Sequence, residues 1–160
     1  MNRNTRMAMF PSHIKGGTFL HDGFAAELGS DLTEVDRVGR LIEEFGERTG
    51  LPPKLIYHFT LAFDELLTNT ISYGFPDGMH EAITVSVTLD DESLVAEILD
   101  SGIAFNPLER DTPDITLSVE DRPIGGLGIH FVRTFMDKVE YCREDGRNRL
   151  TMAKYLKDSA

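Results

Sequence analysis

Phe63-Asp64-Glu65-Leu66-Leu67-Thr68-Asn69-Thr70-Ile71-Ser72-Tyr73-Gly74 reads as the end of an amphipathic helix that carries a carboxylate and an amide one turn apart. Glu65 and Asn69 are spaced i, i+4 and so project from one face. At about 100° per residue, His58, Glu65, Asn69 and Ser72 fall in a narrow polar sector. Ile56, Phe59, Phe63, Leu66, Leu67 and Thr70 take the other side, which predicts a helix laid on a core. An acid and an amide so placed can serve a metal-bound polyphosphate. The amide oxygen is a hard ligand for Mg²⁺, and the acid can take a proton or orient water. By itself the stretch is better read as a solvated helix face, so the decision rests on what surrounds it.

Upstream, Pro52-Pro53 starts this helix, since proline at a first helical position loses no hydrogen bond. Gly50 stops the helix before it, in which Leu32, Val35, Val38, Leu41, Ile42 and Phe45 recur at helical spacing. Asp31-Leu32-Thr33-Glu34 fits a capping box at its start. Gly23 to Leu28 is expected to be a strand, and residues 1–17 a flexible N-terminal arm or short edge strand. Downstream, Pro76-Asp77-Gly78 turns the chain into Ile83 to Leu89, where four apolar residues alternate with three hydroxyls as in a half-buried antiparallel strand. In the next strand Leu94, Ala96, Ile98 and Asp100 share one parity, which puts Asp100 at the rim of a pocket just past the core face. A long proline-bearing connection, about 106–124, has the character of a lid. A short helix follows over Ile129 to Met136. Val139 to Arg143 is a strand, Asp145-Gly146-Arg147-Asn148 a hairpin turn, and Leu150 to Leu156 the last strand. The order β-α-α-β-β-(lid)-α-β-β predicts an α/β (α+β) two-layer sandwich: one mainly antiparallel mixed sheet with helices on one face, in a single domain over 18–160.

A chain of 160 residues can bury roughly two-thirds of its unfolded surface, enough for one core. A net charge of −11 argues against nucleic acid and anionic membrane surfaces as partners, because phosphate binding draws on Lys and Arg. Acidity leaves a nucleotide possible, since backbone amides and Mg²⁺ supply positive charge locally. The single cysteine, Cys142, rules out an internal disulfide framework and points to a reducing cytoplasm. The five histidines show no metal-ligand spacing, and no apolar run reaches the length of a membrane span.

Two further segments bear chemistry. Gly125-Gly126-Leu127-Gly128 precedes a helix, so its unpaired amides and the positive helix end form an anion site that phosphate oxygens can approach closely. It lacks the Gly-Lys-Ser/Thr of a P-loop and the feeding strand of a dinucleotide fingerprint. Asp100-Ser101-Gly102-Ile103-Ala104 places a carboxylate where it can accept from an adenine amine, with Gly102 and Ala104 leaving room for a flat base. Thr151, on the last strand, could bond the base or a water beside Asp100. Each feature alone has a plainer reading: a loop glycine, a turn after a strand, a β-forming threonine.

In this order, Glu65-xxx-Asn69, Asp100-x-Gly102-x-Ala104, Gly125-Gly126-Leu127-Gly128 and Thr151 resemble the N box, G1 box, G2 box and terminal threonine of the GHKL ATPases. That superfamily shares a histidine-kinase-like ATPase domain with a Bergerat-type ATP pocket. More closely, the chain is similar to its small stand-alone branch, the anti-sigma-factor serine/threonine kinases, over roughly Phe24 to Lys154. The resemblance implies that Asn69 is the protein ligand of Mg²⁺ on the ATP phosphates and that Glu65 is the catalytic residue activating the attacking hydroxyl. It implies that Asp100, with Thr151, holds the adenine amine, that Gly102 and Ala104 line the base, and that Gly125, Gly126, Leu127 and Gly128 bind the phosphates. Ala104 stands where the superfamily often has glycine. Arg110 and Arg122 are both candidates for the cation near the γ-phosphate. The implied activity is transfer of phosphate from Mg-ATP to a serine or threonine of an anti-anti-sigma (STAS-type) antagonist, together with sequestration of a sigma factor, in a protein of homodimeric type.

Three rivals remain. A sensor histidine kinase needs a helical hairpin with a phospho-acceptor histidine, and the residues before Asp31 are too few for one. A regulatory module that binds ATP without catalysis needs the same pocket. A scaffold with no nucleotide would sit poorly with an intact Glu65, Asn69, Asp100 and glycine cluster.

Overall fold

A computed structural model describes residues 18–20, 23–76, 83–109 and 127–156. The N-terminal arm, Arg110, Arg122, Gly125, Gly126 and all but the start of the expected lid lie outside the described residues. In chain order the elements are β1 (Thr18–Leu20), β2 (Gly23–Leu28), α1 (Thr33–Thr49), α2 (Pro53–Tyr73), β3 (Ile83–Leu89), β4 (Ser93–Asp100), a 3₁₀ turn (Pro107–Glu109), α3 (Leu127–Phe135), β5 (Lys138–Glu144) and β6 (Arg147–Tyr155). The strands form one sheet in the order β1-β2-β3-β4-β6-β5, and every described pairing is antiparallel.

One face of that sheet builds the core. Phe24, Ala26 and Leu28 of β2, Ile83, Val85 and Val87 of β3, Leu94, Ala96 and Ile98 of β4, and Leu150 and Met152 of β6 alternate with residues that face away. Against them pack Val38, Ile42 and Phe45 of α1, Phe59, Phe63, Leu66 and Leu67 of α2, and Ile129 and Val132 of α3. Period-2 strands and period-3.6 helices thus present matching apolar surfaces, and the result is the two-layer α+β sandwich that the sequence predicts.

Helix boundaries follow local chemistry. Gly50 closes α1 in the left-handed conformation, φ 68°, with its N–H on the Gly46 carbonyl. Pro52 and Pro53 open α2. The capping box at Asp31 forms only in part: Asp31 Oδ1 accepts from the Thr33 N–H at 2.8 Å, while the Glu34 carboxylate turns to Arg37 at 2.8 Å. An ionised guanidinium one turn along is a stronger partner for that acid than a neutral amide.

The β5–β6 hairpin departs from expectation by two residues. Asp145 (φ 53°) and Gly146 (φ 74°) make a two-residue turn with both central angles positive, as a type I′ hairpin requires. The ladder therefore resumes at Arg147, and Asn148 belongs to β6 rather than to the turn.

Candidate functional site

A cleft opens between the C-terminal end of α2 and the sheet. Leu66, Asn69 and Thr70 of α2 form one wall. Ile98, Asp100, Asn148 and Leu150 form the sheet wall, Tyr141 closes the β5 side, and Ile103, Phe105 and Pro107 form the rim. Asp100 ends β4 on the helix side, as its parity predicts, but it is sunk into the fold, 6% exposed. Two donors converge on its Oδ1: the Gly102 N–H at 2.9 Å and Asn148 Nδ2 at 3.0 Å.

Asn148 is the residue that the sequence reading misses. It stands directly across from Asp100 in the β4–β6 register, so the two side chains share a face. Thr151 does not. It lies opposite Glu97 and Glu140, three residues from Asn148 and therefore on the helix-free face. The place expected for Thr151 beside Asp100 is filled by Asn148.

The loop after Asp100 also departs from expectation. Gly102 is buried rather than lining the cleft: a β-carbon there would meet the Gly74 carbonyl oxygen at 2.5 Å, and the neighbouring Ile103 N–H bonds that oxygen at 2.9 Å. Glycine at 102 thus lets the loop dock on the end of α2. Ala104 is exposed, while Ile103 and Phe105 on either side of it line the cleft. Where the lid was expected to begin, the Asn106 side chain accepts from the Leu108 N–H at 2.9 Å and starts the 3₁₀ turn.

On the α2 wall, Asn69 lines the cleft, and Glu65, one turn earlier on α2, lies against the first turn of α3. A β-carbon at Gly128 would overlap the Glu65 side chain, so only glycine admits that carboxyl here. Burial raises the Glu65 pKa above the ordinary carboxylate value, and the charge of Asp64 raises it further. His58, assigned to the same polar sector, instead stacks flat on Phe135 of α3, with centroids 4.0 Å apart and planes 2° from parallel. Burial, then Lys54 and Lys154, lower its pKa. Its role is to tie α2 to α3. Leu127 begins α3, one residue before Gly128.

Among the described residues, no group of three or more His, Cys, Asp or Glu side chains could hold a metal unaided. The amide oxygen of Asn69, which lines the cleft, nonetheless suits Mg²⁺. That ion prefers oxygen, keeps several waters, and is commonly held by one or two side chains together with substrate phosphates.

Comparison with known proteins bears on the family and the fold. The family described as the histidine kinase-like ATPase domain matches residues 28–154. The chain is 31% identical over 114 residues to the serine/threonine-protein kinase BtrW of Bordetella bronchiseptica, covering 71% of this chain and 80% of that one. It is 24% identical over 131 residues to the anti-sigma F factor of Clostridium acetobutylicum, covering 82% and 76% respectively. Among solved structures, the RsbU and RsbW domains of Rv1364c from Mycobacterium tuberculosis superpose with a TM-score of 0.57 at 14% identity. That likeness is one of fold, over 81% of this chain and 31% of the longer one.

Proposed function

The chain belongs to the histidine kinase-like ATPase domain family, and on that premise we propose that it is an Mg-ATP-dependent anti-sigma regulatory kinase. It phosphorylates a serine or threonine of an anti-anti-sigma (STAS-type) protein and sequesters a sigma factor. The observation that carries this reading is the layout of the cleft. A buried, doubly bonded carboxylate, Asp100, and the amide-bearing Asn69 both line it, and an acid, Glu65, stands one helical turn before Asn69 against the start of α3. The names of the relatives, a serine/threonine kinase and an anti-sigma factor, supply the substrate and partner classes. By the resemblance given above, the proposal extends to a homodimer. No described helix is long and apolar enough to cross a membrane; a cytoplasmic place is part of the same proposal.

Each residue then has a task. Asp100 accepts from the adenine exocyclic amine. Asn69 offers its amide oxygen to Mg²⁺, which when bound neutralises charge on the phosphates. Gly125, Gly126, Leu127 and Gly128 present backbone at the phosphates, and Arg110 or Arg122 supplies the remaining cation. Glu65 takes the proton from the partner's hydroxyl as its oxygen bonds to the γ-phosphorus and the bond to the β-phosphate oxygen breaks, releasing ADP. Phosphoryl transfer depends mainly on positioning and charge neutralisation, which matches a site with one base and no covalent nucleophile. A raised Glu65 pKa brings the base nearer neutrality, where proton acceptance is most effective.

The test is transfer of label from γ-labelled ATP to a partner captured with the protein from its native cell. Labelled serine or threonine on the partner is the expected result. A partner that binds in an ATP-dependent way without acquiring label would assign the cleft to a non-catalytic regulatory module.

A further inference from the structure

We infer that Asn148 is the positioning residue that makes the cleft select a 6-amino purine over a 6-oxo purine, an inference that rests on the reading of the cleft as a nucleotide site. Asn148 is 6% exposed, and every polar atom of its side chain is engaged. Its Nδ2 donates to Asp100 Oδ1 at 3.0 Å and to the Ile103 carbonyl at 2.8 Å. Its Oδ1 accepts from the Tyr141 hydroxyl at 2.6 Å, from Arg143 Nη1 at 2.9 Å and from the Phe105 N–H at 3.5 Å. Arg143 Nη1 also donates to the Gly102 carbonyl at 3.0 Å.

This pattern fixes which way the amide points. Turned over, its oxygen would face a carboxylate and a carbonyl, and its NH₂ would face a hydroxyl donor and a guanidinium. Every contact would then be repulsive. Held as it is, Asn148 commits both amide hydrogens and leaves none for an incoming ligand. The Tyr141 hydroxyl proton and both Nη1 hydrogens of Arg143 are committed as well. The carboxylate at the cleft floor is therefore fixed as an acceptor, with no free amide hydrogen of Asn148 beside it. An exocyclic amine meets a partner there, while a 6-oxo oxygen meets negative charge. A site built to pair with one group discriminates strongly against an analogue that leaves its polar atoms unpaired.

The experiment compares Mg-ATP with Mg-GTP by calorimetry on the full chain, as wild type, Asn148→Ala and Tyr141→Phe. The wild type is expected to prefer ATP. Asn148→Ala should shrink the ATP:GTP affinity ratio about tenfold, because Asp100 loses one of its two donors and is free to turn. Tyr141→Phe keeps the cleft wall, removes one bond to the Asn148 oxygen, and should shrink the ratio about threefold. Loosening without a positioning role would weaken both nucleotides alike and leave the ratio unchanged, which would overturn the inference. If Asn148→Ala fails to fold, Tyr141→Phe decides by the same ratio. A wild type that binds neither nucleotide would bring down the reading of the cleft itself, whereas ATP binding with an unmoved ratio in the variants sinks only the part given to Asn148.

Discussion

The sheet wall of the cleft and the Glu65 turn of α2 beside it are built on different principles. At the sheet end, Asp100, Asn148, Tyr141, Arg143 and the 102–105 loop form one closed hydrogen-bond network. At the helix end, Glu65 is desolvated beside Gly128, with a raised pKa and a like charge for a neighbour. The first end is complete without a ligand. The second holds a group in an unfavourable state. Recognition of a flat base needs only fixed acceptors, which a sheet edge supplies. On the proposed reading, Glu65 is a base whose proton affinity is raised by burial.

Breaking the helix end should give the largest effect. Glu65→Ala is expected to slow phosphoryl transfer by roughly 10²–10⁴-fold while leaving ATP affinity nearly unchanged, measured by labelled transfer and by calorimetry. Breaking the sheet end comes next: Asp100→Ala removes a charge-assisted acceptor and strands the Asn148 amide, raising the Kd for ATP about 100-fold with an unchanged circular dichroism spectrum. Asn69→Ala should weaken ATP about tenfold in the presence of magnesium, and ATP titrations without magnesium should show little change.

The same contrast appears in pH. Protonated Glu65 cannot accept a proton, so the transfer rate should fall on acidification through a pKa above the ordinary carboxylate value. Asp64→Asn removes the neighbouring charge and should move that limb to lower pH, as a pH–rate profile would show. The smallest effect is on stability. A folded-state pKa above the unfolded value means that the folded chain favours protonated Glu65. Its penalty is absent below the unfolded pKa and grows until the pH passes the folded one. Glu65→Gln should therefore raise Tm slightly at neutral pH and not in acid, as paired thermal melts would show.

Much of this architecture is legible in the sequence, because burial imposes periodicity. The 3.6 spacing through Phe59, Phe63, Leu66 and Leu67 and the alternation through Ile83, Val85 and Val87 each have one consistent solution. The parity of Leu94, Ala96 and Ile98 carries Asp100 to the correct face. Sequence and structure part at two residues. Asp145-Gly146-Arg147-Asn148 has the composition of a four-residue turn, and Asn148 looks like part of it. Only Asp145 and Gly146 adopt positive φ, so Asn148 is drawn into the ladder and Thr151 falls out of phase with Asp100. Counting back from Leu150 and Met152 by twos would have found Asn148, since alternation on one face includes position 148. Ala104 is exposed beside the cleft for a different reason: a loop has no period, and its docking through Gly102 onto Gly74 depends on distant chain.

The cleft and the core share walls. Leu66, Ile98 and Leu150 belong to the packed interior and also border the opening. Whatever occupies that opening is bound by the folded chain and not by the unfolded one, so occupancy at 100 times Kd would add about 2.7 kcal/mol to the free energy of unfolding.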